Sequence, residues 1–144
     1  MDDQKTRRLL LLTDDNFIAQ TLGTYMRRDN IQVDRVTAVT DVAQAIAGGA
    51  DGVIIDIAKR GVSGDAIMNI TGRAQRWEIP VFIMSAQPRR DLNEFAAVVR
   101  ATDVVSKTES MTAIAARVRV CMRTPIKAAQ KKLEPREQFV FAVA

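Results

Sequence analysis

The chain has 144 residues, of which 47% are hydrophobic and 26% charged, and its net charge is +4. That balance suits a globular protein with one core, and no apolar run approaches the roughly 18 residues of a membrane span. Histidine is absent and Cys121 is the single cysteine, which excludes a serine–histidine triad, histidine metal ligands, a phosphohistidine and an internal disulfide.

The chain opens on MDDQKTRR, charged and without the apolar stretch of a signal peptide, so a cytoplasmic location is expected. Leu9–Leu12 is the first short apolar run, followed at once by Thr13-Asp14-Asp15-Asn16. Ile18, Leu22, Tyr25 and Met26 then share one side of a helix. Ile31–Val36 alternates apolar and polar residues, as an edge strand does. Val42, Ala45 and Ile46 mark a short helix that stops at Gly48-Gly49. Gly52–Ile55 is a second unbroken apolar run and ends in Asp56. Ile67, Ile70, Ala74 and Trp77 form a third helical face. Val81–Met84 leads into Ser85-Ala86, and Leu92, Phe95, Ala96 and Val99 mark a fourth helix. Val104-Val105 leads into Ser106-Lys107, and Met111, Ile114, Ala115, Val118 and Met122 mark a fifth.

Unbroken apolar runs suit strands buried on both faces, as in a parallel sheet. Five strands alternating with five helices predict an α/β fold: a doubly wound five-stranded parallel sheet with helices on both faces, in the order 2-1-3-4-5. The domain is expected to span residues 7–123. Residues 124–144 then read as a C-terminal linker or tail, with one helical turn at Ile126–Leu133, Pro135, and a short apolar end at Phe139–Val143. Residues 125–144 carry Lys127, Lys131, Lys132 and Arg136 against Glu134 and Glu137, which accounts for two of the four excess positive charges. No basic patch argues for nucleic-acid binding, which would need a further domain outside this chain.

Ligands of such sheets bind beyond the carboxyl ends of the strands. There the sequence puts Asp14 and Asp15, Asp56, Ser85 and Lys107. Taken singly, each has a plainer explanation. Asp14-Asp15 could cap a helix, Asp56 could open a loop, Ser85 could belong to a turn and Lys107 to the surface. Taken together, three carboxylates, a hydroxyl and an ammonium converge. Crowded carboxylates repel one another, and a divalent cation relieves this. Few oxygen ligands completed by water and phosphate describe Mg²⁺. Asp56 is then the carboxylate nucleophile of a phosphoryl transfer, with Ser85 and Lys107 on the phosphoryl oxygens.

The segments LLLLTDDN, GVIIDIAKRGVSG (with Gly64 eight positions after Asp56), VFIMSA and DVVSK resemble those of the response-regulator receiver family, across residues 7–123. The resemblance implies the flavodoxin-like receiver fold and a phosphoprotein of two-component, phosphorelay signalling. It also implies Asp56 as phosphoacceptor, and Mg²⁺ on Asp14, Asp15, Asp56 and the Ala58 carbonyl. Ser85 and Lys107 would contact the phosphoryl group, and Gln87 would stand at the mouth of the site. The phosphoryl donor would be a sensor histidine kinase or a histidine phosphotransfer protein. Output would pass through the helix 4–strand 5–helix 5 surface. In this sequence Thr108 stands where the family has proline after the lysine, Val104 where it has an aromatic residue, and Arg60 where proline is frequent. The stretch AARVRVCMR resembles that of regulators that form a homodimer through helix 4, strand 5 and helix 5, which would pair Arg117 with Asp103 across the dimer.

Two other readings compete. One is a pseudo-receiver, an unphosphorylated interaction module of the same fold, which Val104 and Thr108 keep open. The other is an aspartyl-nucleophile hydrolase of the haloacid-dehalogenase type, disfavoured because position 58 is alanine and the nucleophile would follow the third strand. No P-loop or G-x-G-x-x-G follows the first strand.

Overall fold

The structure is a computed structural model and describes residues 6–122. The expected domain end at residue 123 and the tail of residues 124–144 lie outside the described residues, as do the charged residues 1–5. The elements run β1 (Arg7–Leu12), α1 (Asn16–Arg27), β2 (Ile31–Val36), α2 (Val39–Ala47), β3 (Gly52–Asp56), α3 (Gly64–Arg76), β4 (Val81–Ser85), α4 (Arg89–Val99), β5 (Asp103–Ser106) and α5 (Met111–Met122). All neighbouring strands pair in parallel, in the order β2-β1-β3-β4-β5. The expected fold class is therefore the observed one, with the alternating strand β2 at one edge.

The pleat divides β1, β3, β4 and β5 between two cores. Leu10 and Leu12, Val53 and Ile55, Val81 and Ile83, and Val104 face α2, α3 and α4. Leu9 and Leu11, Ile54, Phe82 and Met84, and Val105 face α1 and α5. Consecutive strand residues point to opposite faces, so a strand covered on both sides must be apolar at every position. β3 and β4 are buried along their whole length, and both are apolar up to their last residues, Asp56 and Ser85. Trp77 lies one residue beyond α3 and packs half-buried against the first core.

Element ends are fixed locally. Asp15 caps α1, its Oδ1 accepting from the Ile18 amide at 3.1 Å, and Ser63 caps α3 through the Ala66 amide at 3.1 Å. Such caps satisfy amide groups that the first helical turn leaves without carbonyl partners. α4 closes on Arg100 in the left-handed region, at φ 64°. In the loop after β3 the left-handed position belongs to Gly61, at φ 85°, where glycine carries no Cβ penalty.

Candidate functional site

Strand register decides what meets at the carboxyl edge of the sheet. β1 pairs with β3 up to Leu12 opposite Ile55, so the next residue, Thr13, stands beside Asp56. Thr13 is fully buried and its Oγ1 donates to Asp56 Oδ2 at 2.6 Å. Asp56 ends β3 and is only 3% exposed. Its Oδ1 accepts from the Ala58 amide at 3.1 Å, and Oδ2 also receives the Lys107 ammonium at 3.0 Å. A buried carboxylate needs an opposite charge and hydrogen bonds to remain ionised. Asp56 has one ammonium, one hydroxyl and one amide.

The acidic pair behaves differently. Thr13 Oγ1 also accepts from the Asp15 amide at 3.0 Å, which turns the chain out of the sheet. The Asp15 carboxylate is engaged as the α1 cap. Asp14 is exposed, and Lys59 Nζ lies 3.2 Å and 3.4 Å from its two oxygens. The Lys59 side chain itself is only 11% exposed and reaches Asp14 from the loop after Asp56.

Ser85 ends β4 next to β3 and is buried. Its Oγ accepts from the Gln87 amide at 3.2 Å, and its carbonyl accepts from the Lys107 amide at 2.7 Å. That second bond ties the lysine loop to β4. The Gln87 carbonyl accepts from Ser106 Oγ at 2.6 Å, and the Ser106 amide donates to Glu109 Oε1 at 3.1 Å. Glu109 Oε2 lies 3.7 Å from Arg117, and Arg117 is 3.5 Å from Asp103. Asp103 also takes Arg89 of α4 at 3.1 Å. Thr108, in place of proline, shares a hydrogen bond with Ser106 Oγ at 2.7 Å.

The structure thus brings Asp56 and Lys107 into contact and stands Ser85 on the neighbouring strand end. It turns the Asp15 carboxylate into α1, and it pairs Arg117 with Asp103 inside one chain. Two residues at this edge escaped the sequence reading. Thr13 opens the polar segment after the first apolar run with no role of its own in the sequence, and only the β1–β3 register puts its hydroxyl on Asp56. Lys59 had a weak signal, a lysine three positions after the proposed acceptor.

The donor set does not fit the Mg²⁺ ion that the resemblance implies. Mg²⁺ is held by one or two carboxylates, completed by water and phosphate, and those carboxylates have to be free to turn towards it. Here the side chain registered beside Asp56 is a hydroxyl, Asp15 caps a helix and Asp14 already holds an ammonium. Among the described residues no group of three or more acidic or thiol side chains is placed to hold an ion. No helix among them is long and apolar enough to cross a membrane.

No family model matches this sequence, and no curated protein does. Solved structures do. The chain is similar to HP1043, an orphan response regulator of H. pylori, with a TM-score of 0.68 and 18% identity over 82% of this chain and 98% of that one. A response regulator from Thermotoga maritima superposes with a TM-score of 0.71 and 16% identity, over 83% and 100% of the two chains. The chemotaxis response regulator CheY4 of Vibrio cholerae gives a TM-score of 0.70 at 13% identity, over 81% and 99%. Likeness at such identities is likeness of fold. The fold is that of response-regulator receiver domains, and the expected resemblance holds at that level across most of the chain.

Proposed function

We propose that this chain is the receiver module of a two-component response regulator and that Asp56 accepts a phosphoryl group from a phosphohistidine on a sensor histidine kinase or a histidine phosphotransfer protein. The observation that carries this reading is the Asp56 carboxylate itself. It is buried at the mouth of the central strand with the Lys107 ammonium 3.0 Å away. In the transfer, an Asp56 oxygen bonds to phosphorus as the phosphorus–nitrogen bond of the donor breaks. The imidazole nitrogen leaves with the bonding pair and takes up a proton, and Asp56 becomes an acyl phosphate. Phosphoryl transfer asks a protein mainly for position and charge. Lys107 supplies positive charge to the phosphoryl oxygens, and the Ser85 hydroxyl offers them a donor. With histidine absent from the chain, the donor imidazole belongs to the partner.

Output on this reading passes through α4, β5 and α5. The hydrogen bonds from Ser85 through Gln87 and Ser106 to Glu109, and the ion pairs of Arg117 and Asp103, join the acceptor edge to that face. A Ser85 hydroxyl drawn onto phosphate gives up the Gln87 amide and biases the rest of the chain of contacts. A homodimer through the same face belongs to the phosphorylated state, since Asp103 is already paired with Arg89 and Arg117 within the unmodified chain.

Intact-mass measurement after incubation with acetyl phosphate tests the reading. The native chain is expected to gain one phosphoryl group and Asp56→Asn none. Equal gain by both, or none by the native chain, sinks it. One observation favours a second reading, the unphosphorylated interaction module of the same fold: a threonine rather than an acid faces Asp56. A native chain that folds and stays unlabelled supports that alternative.

A further inference from the structure

We infer that the Lys59 ammonium stands where a divalent cation would otherwise be needed, so that the Asp56 site works without metal. The inference rests on the reading of Asp56 as the acceptor, and the experiment below separates the two. Two carboxylates at this edge, Asp14 and Asp56, each hold an ammonium, Lys59 at 3.2 Å and Lys107 at 3.0 Å. Neither of these two carboxylates is left without an opposite charge. The side chain registered beside Asp56 is the Thr13 hydroxyl, a donor and not a further carboxylate. Asp15 keeps its charge at the N-terminus of α1, where the helix dipole and the Ile18 amide hold it.

A magnesium ion entering here would meet two ammoniums at short range. Like charges in a poorly hydrated site repel strongly. To admit the ion, Lys59 would have to leave Asp14. Its side chain is nine-tenths buried, so the move disturbs the loop that carries Ile57 and Ala58. The ion would gain one exposed carboxylate, Asp14, and a second, Asp56, whose two oxygens already accept three hydrogen bonds. Lys59 is thus a positioning residue. It neutralises Asp14 and leaves Lys107 as the charge that meets the incoming phosphoryl group.

Two measurements on the full chain test this. In the first, ¹⁵N NMR follows a Mg²⁺ titration, with Mn²⁺ as a paramagnetic probe of the same position. For the native chain no saturable shift is expected at the amides of residues 14–15 and 56–59, and no Mn²⁺ broadening centred there. A Thr13→Asp/Lys59→Gln variant, which places an acid beside Asp56 and keeps the stem of the lysine, is expected to bind both ions saturably. Thr13→Asp with Lys59 intact is expected to bind neither. Trp77 fluorescence on denaturation checks that each variant folds. Saturable binding by the native chain overturns the inference, and so does saturable binding by Thr13→Asp alone or a folded double variant that stays silent. In the second, acetyl phosphate labelling is compared with Mg²⁺ and with EDTA. Equal labelling supports the inference, and labelling only with Mg²⁺ overturns it. No labelling in either buffer, with a silent native titration, overturns the acceptor reading and leaves the pairing of Asp14 with Lys59 standing.

Discussion

Lys107, Thr13 and the Ala58 amide hold one buried carboxylate in place, and each answers a different need. The ammonium balances its charge, while the hydroxyl and the amide satisfy oxygens that have left water. Cys121, on α5, is a partly buried thiol. Burial raises its thiol pKa, Asp103 raises it further, and Arg117 partly opposes them. A raised pKa means less thiolate at any given pH, and the thiolate is the reactive form. Alkylation of the folded chain by iodoacetamide is therefore expected to be slower than that of the urea-unfolded chain, with its rise displaced to higher pH. Coincident pH–rate curves for the folded and unfolded chains would contradict this account.

At the scale of the element, α1 shows how one residue is claimed by its helix rather than by the site. Asn16 opens the helix, and the position before it must offer an acceptor to the free amides. Asp15 does so, and its Oδ1 faces the Ile18 amide. Asp15→Ala is expected to cost about 1 kcal/mol in urea denaturation, as loss of a cap does. Asp15→Asn, which keeps the acceptor oxygen, is expected to stay close to native stability and to label with phosphate as the native chain does. Loss of labelling in a folded Asp15→Asn chain would return Asp15 to the site. The same reasoning separates α1 from α4, which starts after Pro88 with no side-chain cap.

At the scale of the whole molecule, the parallel order β2-β1-β3-β4-β5 gathers strand ends from distant parts of the chain onto one edge. Asp56 meets Lys107 across 51 residues and Thr13 across 43. The same order sets α4 and α5 on opposite faces of the sheet at its β5 edge, with Asp103 of β5 between Arg89 and Arg117. With those side chains paired within one chain, the unmodified protein is expected to sediment as a monomer. Beryllofluoride, as an acyl-phosphate mimic, is expected to shift the native chain towards a dimer and to leave Asp56→Asn unchanged. Dimers of equal strength in both chains would detach association from Asp56.

What the sequence determined by itself follows from local periodicity. Unbroken apolar runs named the buried strands, the alternation in Ile31–Val36 named the edge strand, and helical spacing named the five packing faces. These patterns survive in one dimension because each strand or helix buries a face set by its own repeat. The convergence of Asp56, Ser85 and Lys107 on one edge was also legible, since strand ends in a parallel sheet all point the same way. Only the tertiary structure decided which side chains touch. Register, a property of two strands and not of one, put Thr13 against Asp56. The path of a loop brought Lys59 to Asp14, and the start of a helix turned Asp15 away.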